Sequence, residues 1–143
     1  MITLAILLGM MIWGLLEGWR EALYYHFKSG ARMGNLAYSI NEHPMFATQR
    51  ALVFGLQLLV IYSICGNLIN ASCMVIGSML SFPFFHDSEY YYIRHKYDSA
   101  IYQKGWMDEE TGSTALMNFN FPVRTSMFVI GLAIQICMQL CFA

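Results

Sequence analysis

The stretch ALVFGLQLLVIYSICGNLINASCMVIGSMLSFPFF, residues 51–85, decides the fold, because it contains no Lys, Arg, Asp, Glu or His. A helix that crosses a bilayer needs about 20 residues. The stretch is too long for one crossing and long enough for two, and Gly66-Asn67 near its middle is typical of a turn. We therefore predict a hairpin of two transmembrane helices.

The charged side chains all lie in two segments of the sequence that flank this stretch. All eight Lys and Arg, nine Asp and Glu and four His lie within residues 17–50 and 86–124, so residues 1–16 and 125–143 carry none. Once the central hairpin forms, every charge falls on the same face of a membrane protein. The positive-inside rule makes that face cytoplasmic and places both termini on the opposite side.

These patterns predict an all-α fold, an integral membrane four-helix bundle that is N-out/C-out and forms one transmembrane domain over residues 1–143. The predicted segments are helices at about 2–28, 48–65, 68–86 and 122–142, with cytoplasmic loops at 29–47 and 87–121. The second loop is rich in Tyr and Trp, which favours an interfacial or re-entrant helical segment at head-group level. Asp87-Ser88 is expected to cap that segment.

Composition excludes several classes of protein. The chain is 57% hydrophobic and 12% charged, and a core built from 143 residues cannot hide so much apolar surface from water. Membrane lipid is therefore the expected partner. The net charge of −1 leaves no basic surplus to neutralise phosphates, which argues against nucleic acid. The apolar N-terminal run lacks a basic flank and a cleavage site, so we expect a retained helix.

The first helix carries two carboxylates at a depth where they need partners. Glu17 lies about 22 Å along the helix from Ile2, inside a hydrocarbon core about 30 Å thick. An isolated charge there is unstable, so Glu17 should face other helices, together with Arg20, Glu21 and Tyr24 on the same side. Arg20 can pair with one glutamate and lock the bundle. The other glutamate then needs a proton, a cation or another basic partner.

His86-Asp87 is the second candidate for a functional site. It directly follows the uncharged stretch and lies at about the same depth in the membrane as Glu21. Such a pair can supply a metal ligand with its neighbour, or a cap for the next segment. The candidate metal ligands are Glu17, Glu21, His86 and Asp87, and the candidate catalytic residues are Glu17, Arg20, Tyr24 and Arg94. Carboxylates with imidazole suit iron, manganese or zinc. The chain has no Glu-x-x-His pair and no set of His boxes, so we assign it to no family.

Two functions fit these residues. The first is a metal-dependent membrane enzyme that acts on a lipid-like or interfacial substrate, with an arginine as anchor for a phosphate. The alternative is a non-enzymatic pore-forming or scaffold subunit in which the buried charges fix helix packing. A pore needs polar residues along its whole length, whereas the outer part of each predicted helix is nearly apolar. The sequence therefore favours a site open to one side.

Residues inside the spans add expectations about packing. Gln57, Asn70 and Gln135 should face other helices and form hydrogen bonds there. Small residues four apart, such as Gly14 and Gly18, favour close helix approach, either within the chain or as a homo-oligomer seam on the first helix. The four cysteines lie towards the predicted outer face, where a disulfide would persist in an oxidising compartment.

Overall fold

The computed structural model describes residues 2–29, 43–109 and 119–141, and every regular element in these ranges is helical. The helices are α1 (Ile2–Ser29), α2 (His43–Cys65), α3 (Leu68–Tyr97) and α4 (Phe121–Cys141), with a 3-10 turn at Gly105–Met107. α2, α3 and α4 are long and apolar enough to cross a bilayer, which indicates an integral membrane protein. α1 is apolar as far as Leu16, and its charged residues follow.

The turn between α2 and α3 falls at Gly66-Asn67, as predicted. Gly66 has a φ of 65°, a left-handed conformation that glycine adopts without the steric penalty of a Cβ. The Asn67 side chain accepts a hydrogen bond from the Asn70 backbone N–H at 3.1 Å and caps α3. Asn70 therefore contributes to the turn through its backbone.

α3 is longer than predicted, and the expected cap at Asp87-Ser88 is wrong. The helix continues to Tyr97 because residues 84–97 contain no Gly or Pro to end it. It stops at Asp98, whose backbone N–H donates to the Arg94 carbonyl. The first part of the segment expected at the interface is thus the end of α3. Most of the predicted loop at 29–47 lies outside the described residues. Its last five residues belong to α2, which begins at His43.

α3 is the central helix, because it packs along α1 and α4 and, less extensively, along α2. Glycines make these contacts close. Gly14 and Gly18 face α3, and a Cβ on Gly14 would lie 2.9 Å from the Phe85 Cβ. Gly77 and Gly131 bring α3 and α4 together in the same way. The small residues of α1 at Gly14 and Gly18 are therefore used for packing within the chain.

A buried polar contact joins three helices at Ser78 of α3. Gln57 of α2 and Gln135 of α4 each donate a side-chain N–H to the Ser78 hydroxyl oxygen, at 2.9 and 3.1 Å. Ser78 in turn donates to the Met74 carbonyl at 3.2 Å. These bonds confirm that the two glutamines face other helices. They also fix the rotation of α2 and α4 about α3.

We expect Ser78→Ala to lower the free energy of unfolding by about 1 kcal/mol, since both amide donors lose their acceptor in an apolar environment. Ser63→Ala is the matched control, because Ser63 is exposed and bonds only the Val60 carbonyl of its own helix. Unfolding in mixed detergent micelles measures both. Equal stability of the two variants would show that the three-helix contact contributes nothing.

The four cysteines, whose pairing the sequence leaves open, form no disulfide with one another. Cys65, Cys73, Cys137 and Cys141 are all free thiols. They act as small apolar residues on helices that face lipid or one another.

Candidate functional site

Three of the four predicted metal ligands converge between α1 and α3. Glu17, Glu21 and His86 each present one ligand atom, and these atoms all lie within 4.8 Å of one another. The two glutamates are one helical turn apart and therefore project from the same face of α1. Gly18 lies between them and lets the α1 backbone approach the His86 carbonyl, which brings the imidazole within reach of both carboxylates. All three side chains are buried.

Within the described residues, Arg50 of α2 pairs with both glutamates, and Arg20 does not. Arg50 Nε donates to Glu17 Oε1 at 2.8 Å, and Arg50 Nη2 donates to Glu21 Oε2 at 2.9 Å. In the sequence, Arg50 is one of the basic residues that the positive-inside rule assigns to the cytoplasmic face, and nothing nearby marks it as a partner of the glutamates. The two carboxylates of Glu17 and Glu21 outnumber the one guanidinium of Arg20, which indicates that a second cation is needed. This count does not identify the second cation.

Asp87 contacts the cluster through His86. Its Oδ1 lies 2.7 Å from His86 Nδ1, while His86 Nε2 lies 2.8 Å from Glu21 Oε2 on the other side of the ring. A carboxylate on one ring nitrogen orients the imidazole and directs the other nitrogen into a site, as it does for histidines that bind metals. The structure therefore places Asp87 behind His86 and not beside the glutamates.

Three polar atoms lie close together where α1, α2 and α3 meet. Arg50 Nη2 lies 3.0 Å from His86 Nε2, and both lie within 2.9 Å of Glu21 Oε2. An imidazole nitrogen has either one proton or one lone pair. If Nε2 carries a proton, it donates to Glu21 Oε2 beside Arg50 Nη2, because a carboxylate oxygen accepts from two donors. If Nε2 carries a lone pair, that lone pair faces the carboxylate oxygen, so the metal-free cluster favours a doubly protonated His86.

Glu17 holds an unsatisfied atom. Its side chain is 1% exposed, and Oε2 has no hydrogen-bond partner anywhere in the described ranges of the chain. Leaving a buried carboxylate oxygen without a partner costs about 1–3 kcal/mol or more. The cluster thus holds one buried carboxylate oxygen that a bound cation would satisfy.

An aromatic layer separates this cluster from the apolar end of the bundle. Phe82 stacks on His86 at 5.0 Å and lies under the Arg50 guanidinium at 5.3 Å. Trp13 packs against Phe82 at 4.7 Å and against Phe54 at 5.4 Å. Apolar rings around buried charges lower the local dielectric and strengthen the ionic contacts among them.

The other predicted catalytic residues lie outside the cluster. Arg20 is exposed, donates to Gln49 Oε1 at 3.1 Å and lies over the Phe46 ring. Tyr24 contacts the same ring edge to face, at 6.3 Å between centroids. Arg94 is buried further along α3, where it pairs with Asp98 at 3.1 Å and covers the Tyr102 ring.

A fully buried arginine forms a separate structural contact at the start of α4. Arg124 Nη2 donates to the backbone carbonyls of Asp108 and Trp106, at 2.8 and 3.3 Å. Its guanidinium also lies over the Tyr91 ring of α3. Arg124 therefore anchors the segment around the 3-10 turn to the bundle.

Comparisons with models of protein families, with curated proteins and with solved structures found no match. Functional inference therefore rests on the cluster's own geometry and chemistry.

Proposed function

We propose that this chain is an integral membrane protein that binds a divalent metal ion through Glu17, Glu21 and His86 and uses it on a lipid-like or interfacial substrate. The buried Glu17 Oε2, which has no hydrogen-bond partner in the described residues although three ligand atoms converge beside it within 4.8 Å, carries this proposal. A divalent ion would bind the lone pairs of Nε2 and of both carboxylates at once, in place of the His86 proton and the Arg50 guanidinium.

Charge balance supports the same proposal. In the metal-free cluster, Arg50 and a doubly protonated His86 would face three carboxylates, those of Glu17, Glu21 and Asp87. A divalent ion bound to neutral His86 supplies the same charge, so Arg50 is free to leave. Its side chain is 30% exposed, which gives it room to turn away from Glu17 and Glu21. Iron, manganese and zinc all accept this combination of oxygen and nitrogen ligands.

The proposal includes the topology expected from the charge pattern. α1 crosses the membrane with α2, α3 and α4 as a four-helix bundle, with both termini on the non-cytoplasmic side. The cluster then lies near the cytoplasmic interface, where lipid head groups and soluble molecules both reach it. A metal at this depth polarises a phosphate or carbonyl oxygen as a Lewis acid or activates a bound water.

A second candidate function is a structural one, in which the cluster is an ionic lock of a scaffold or pore-forming subunit. The two short hydrogen bonds from Arg50 to Glu17 and Glu21 favour it, since they tie α2 to α1 without a metal. The two functions differ in whether Arg50 is replaceable by an ion.

We expect the purified protein to take up about one equivalent of divalent metal, and Glu17→Gln or His86→Ala to reduce its affinity by about 10- to 100-fold or more. Glu89→Gln is the matched control, because it removes a carboxylate from α3 outside the cluster. Elemental analysis after dialysis against iron, manganese or zinc measures the uptake. Protein that binds none of the three metals, or equal binding by Glu17→Gln and Glu89→Gln, would leave the ionic lock as the function.

A further inference from the structure

α3 is longer than a bilayer is thick, so its end at Tyr97 projects past the head groups. A hydrocarbon core is about 30 Å thick, and each head-group layer adds roughly 5–7 Å. Counted from Leu68 at the outer edge of the core, at a rise of about 1.5 Å per residue, Tyr97 lies about 44 Å along the helix. Tyr91 lies about 35 Å along it, which is the level of the head groups.

The chain returns to this level after α3, because Arg124 holds the 3-10 turn there. The Arg124 guanidinium lies 5.1 Å from the centre of the Tyr91 ring. Its Nη2 donates to the Trp106 and Asp108 carbonyls, at 3.3 and 2.8 Å. Arg124 also belongs to the first turn of α4, which is long and apolar enough to cross the bilayer. The turn therefore lies beside lipid, with Trp106 38% exposed and Met107 60% exposed.

Aromatic, basic and apolar side chains meet on the outside of this turn. Trp106 packs edge to face on Tyr92, with 6.3 Å between the ring centroids. Lys96 Nζ lies over the same Tyr92 ring, 4.5 Å from its centroid. We call the exposed residues Tyr92, Lys96, Trp106 and Met107 the interfacial surface. Trp and Tyr are enriched at the head-group level, where the apolar ring meets lipid and the N–H or O–H meets polar groups.

The exposed charges around this surface are mainly basic. Among the exposed residues from 96 to 109, Lys96 and Lys104 are basic and Glu109 is acidic. Asp108 is buried, and its carboxylate accepts the backbone N–H groups of Lys104 and Glu109, at 2.9 and 3.0 Å. Its charge is therefore used within the turn. An ammonium group that lies against aromatic rings at this level complements the phosphate of an anionic lipid.

From these observations we propose that the interfacial surface binds the head groups of anionic phospholipids in the leaflet around α3 and α4. Trp106 and Met107 lie among the head groups, and the Lys96 ammonium contacts a lipid phosphate. The aromatic richness of this region predicts a position at the interface, and Lys96 adds a preference for one class of lipid. The inference depends on the crossing of the bilayer by α3 and α4 and not on the metal site, so metal-free protein should make the same lipid contact.

Trp106 can report on its own surroundings by fluorescence. The chain has three tryptophans, so Trp13→Phe with Trp19→Phe leaves Trp106 as the only one. The protein is placed in bilayer discs of phosphatidylcholine that contain a minor fraction of a brominated lipid, which quenches tryptophan on contact. The probes are phosphatidylglycerol and phosphatidylcholine, each brominated near the head-group end of the acyl chains and used at the same mole fraction. If the double variant fails to fold, the difference between wild type and Trp106→Phe gives the same signal.

We expect both lipids to quench Trp106, brominated phosphatidylglycerol to do so more strongly, and aqueous acrylamide to quench it little. Lys96→Gln should reduce the preference for phosphatidylglycerol by about fivefold, the factor that one basic residue contributes near an anionic surface. Quenching by phosphatidylcholine should stay the same. Arg20→Gln is the matched control, because it removes an exposed positive charge on the side of α1 that faces α2. It should leave the preference unchanged.

Three results would overturn the inference. Equal quenching by the two lipids, unchanged in Lys96→Gln, would show ordinary lipid contact without a preference for anionic head groups. Strong quenching by acrylamide with little quenching by either lipid would place the surface in water. Protection from acrylamide and from both lipids would show that a second copy of the chain or another protein segment covers it. A chelator added to the same samples should change none of these signals, whatever the metal content of the protein.

Discussion

Arg50→Met should lower the free energy of unfolding in metal-free buffer by about 3–5 kcal/mol, because it leaves two buried glutamates without their guanidinium partner. Arg20→Met should change it by no more than about 1 kcal/mol, since Arg20 is exposed and its acceptor is the neutral Gln49. Unfolding in mixed micelles, followed by the circular dichroism of the helices, compares the two variants. Similar stability of both would show that Arg50 does not neutralise the cluster.

The same Arg50→Met protein distinguishes the two candidate functions. If a divalent ion can take the place of the guanidinium, adding metal at 100 times its dissociation constant should restore about 2.7 kcal/mol. The ionic lock predicts no such recovery. A triple variant with Arg50→Met, Glu17→Gln and Glu21→Gln should regain much of the lost stability without metal, because no buried charge is left unpaired.

Gly18→Ala is expected to have the second largest effect, a loss of about 1–3 kcal/mol or more. The added Cβ would overlap the His86 carbonyl oxygen and press on the α3 backbone near Tyr90, and neither can move without separating α1 from α3. Gly9→Ala is the matched control on the same helix. Because that position is open, the alanine should be neutral or stabilise the helix by about 0.5–1 kcal/mol.

Thermal unfolding of both alanine variants in detergent gives the comparison, and their melting temperatures should move in opposite directions or by very different amounts. Metal uptake by Gly18→Ala should fall as well, since the carboxylates and His86 are held by this backbone contact. If Gly18→Ala were as stable as Gly9→Ala, the close approach of α1 and α3 would be wrong, and so would the convergence of Glu17, Glu21 and His86.

The sequence was sufficient to predict the elements whose causes are local. The uncharged run of residues 51–85 defined two helices, and Gly66-Asn67 placed the turn between them. The predicted end of α3 at residue 86 rests on the charged pair that follows the uncharged run. His86 and Asp87 nevertheless continue the helix, which passes through Pro83 and ends only at Asp98. A change from apolar to charged residues does not by itself end a helix.

The site was predictable only in part, because it depends on three helices. Helical spacing places Glu17 and Glu21 on one face, and depth along the helix brings His86 near them. The choice between Arg20 and Arg50 depends on how far α2 is rotated and shifted along α1, which no local pattern specifies. In the structure, Ser78 and its two glutamine partners fix that rotation, far from the charges themselves.

The contact between Arg50 and the glutamates also has a consequence for how the chain is made. During synthesis α1 emerges first and carries Glu17 and Glu21, whereas Arg50 and His86 are added later. In the proposed topology, Glu17 lies about 22 Å along a spanning helix, where an unpaired carboxylate still makes insertion less favourable, so α1 alone is only weakly stable in the lipid. We expect α1 to remain beside the insertion machinery until the α2–α3 hairpin arrives. The three helices would then enter the membrane as one unit.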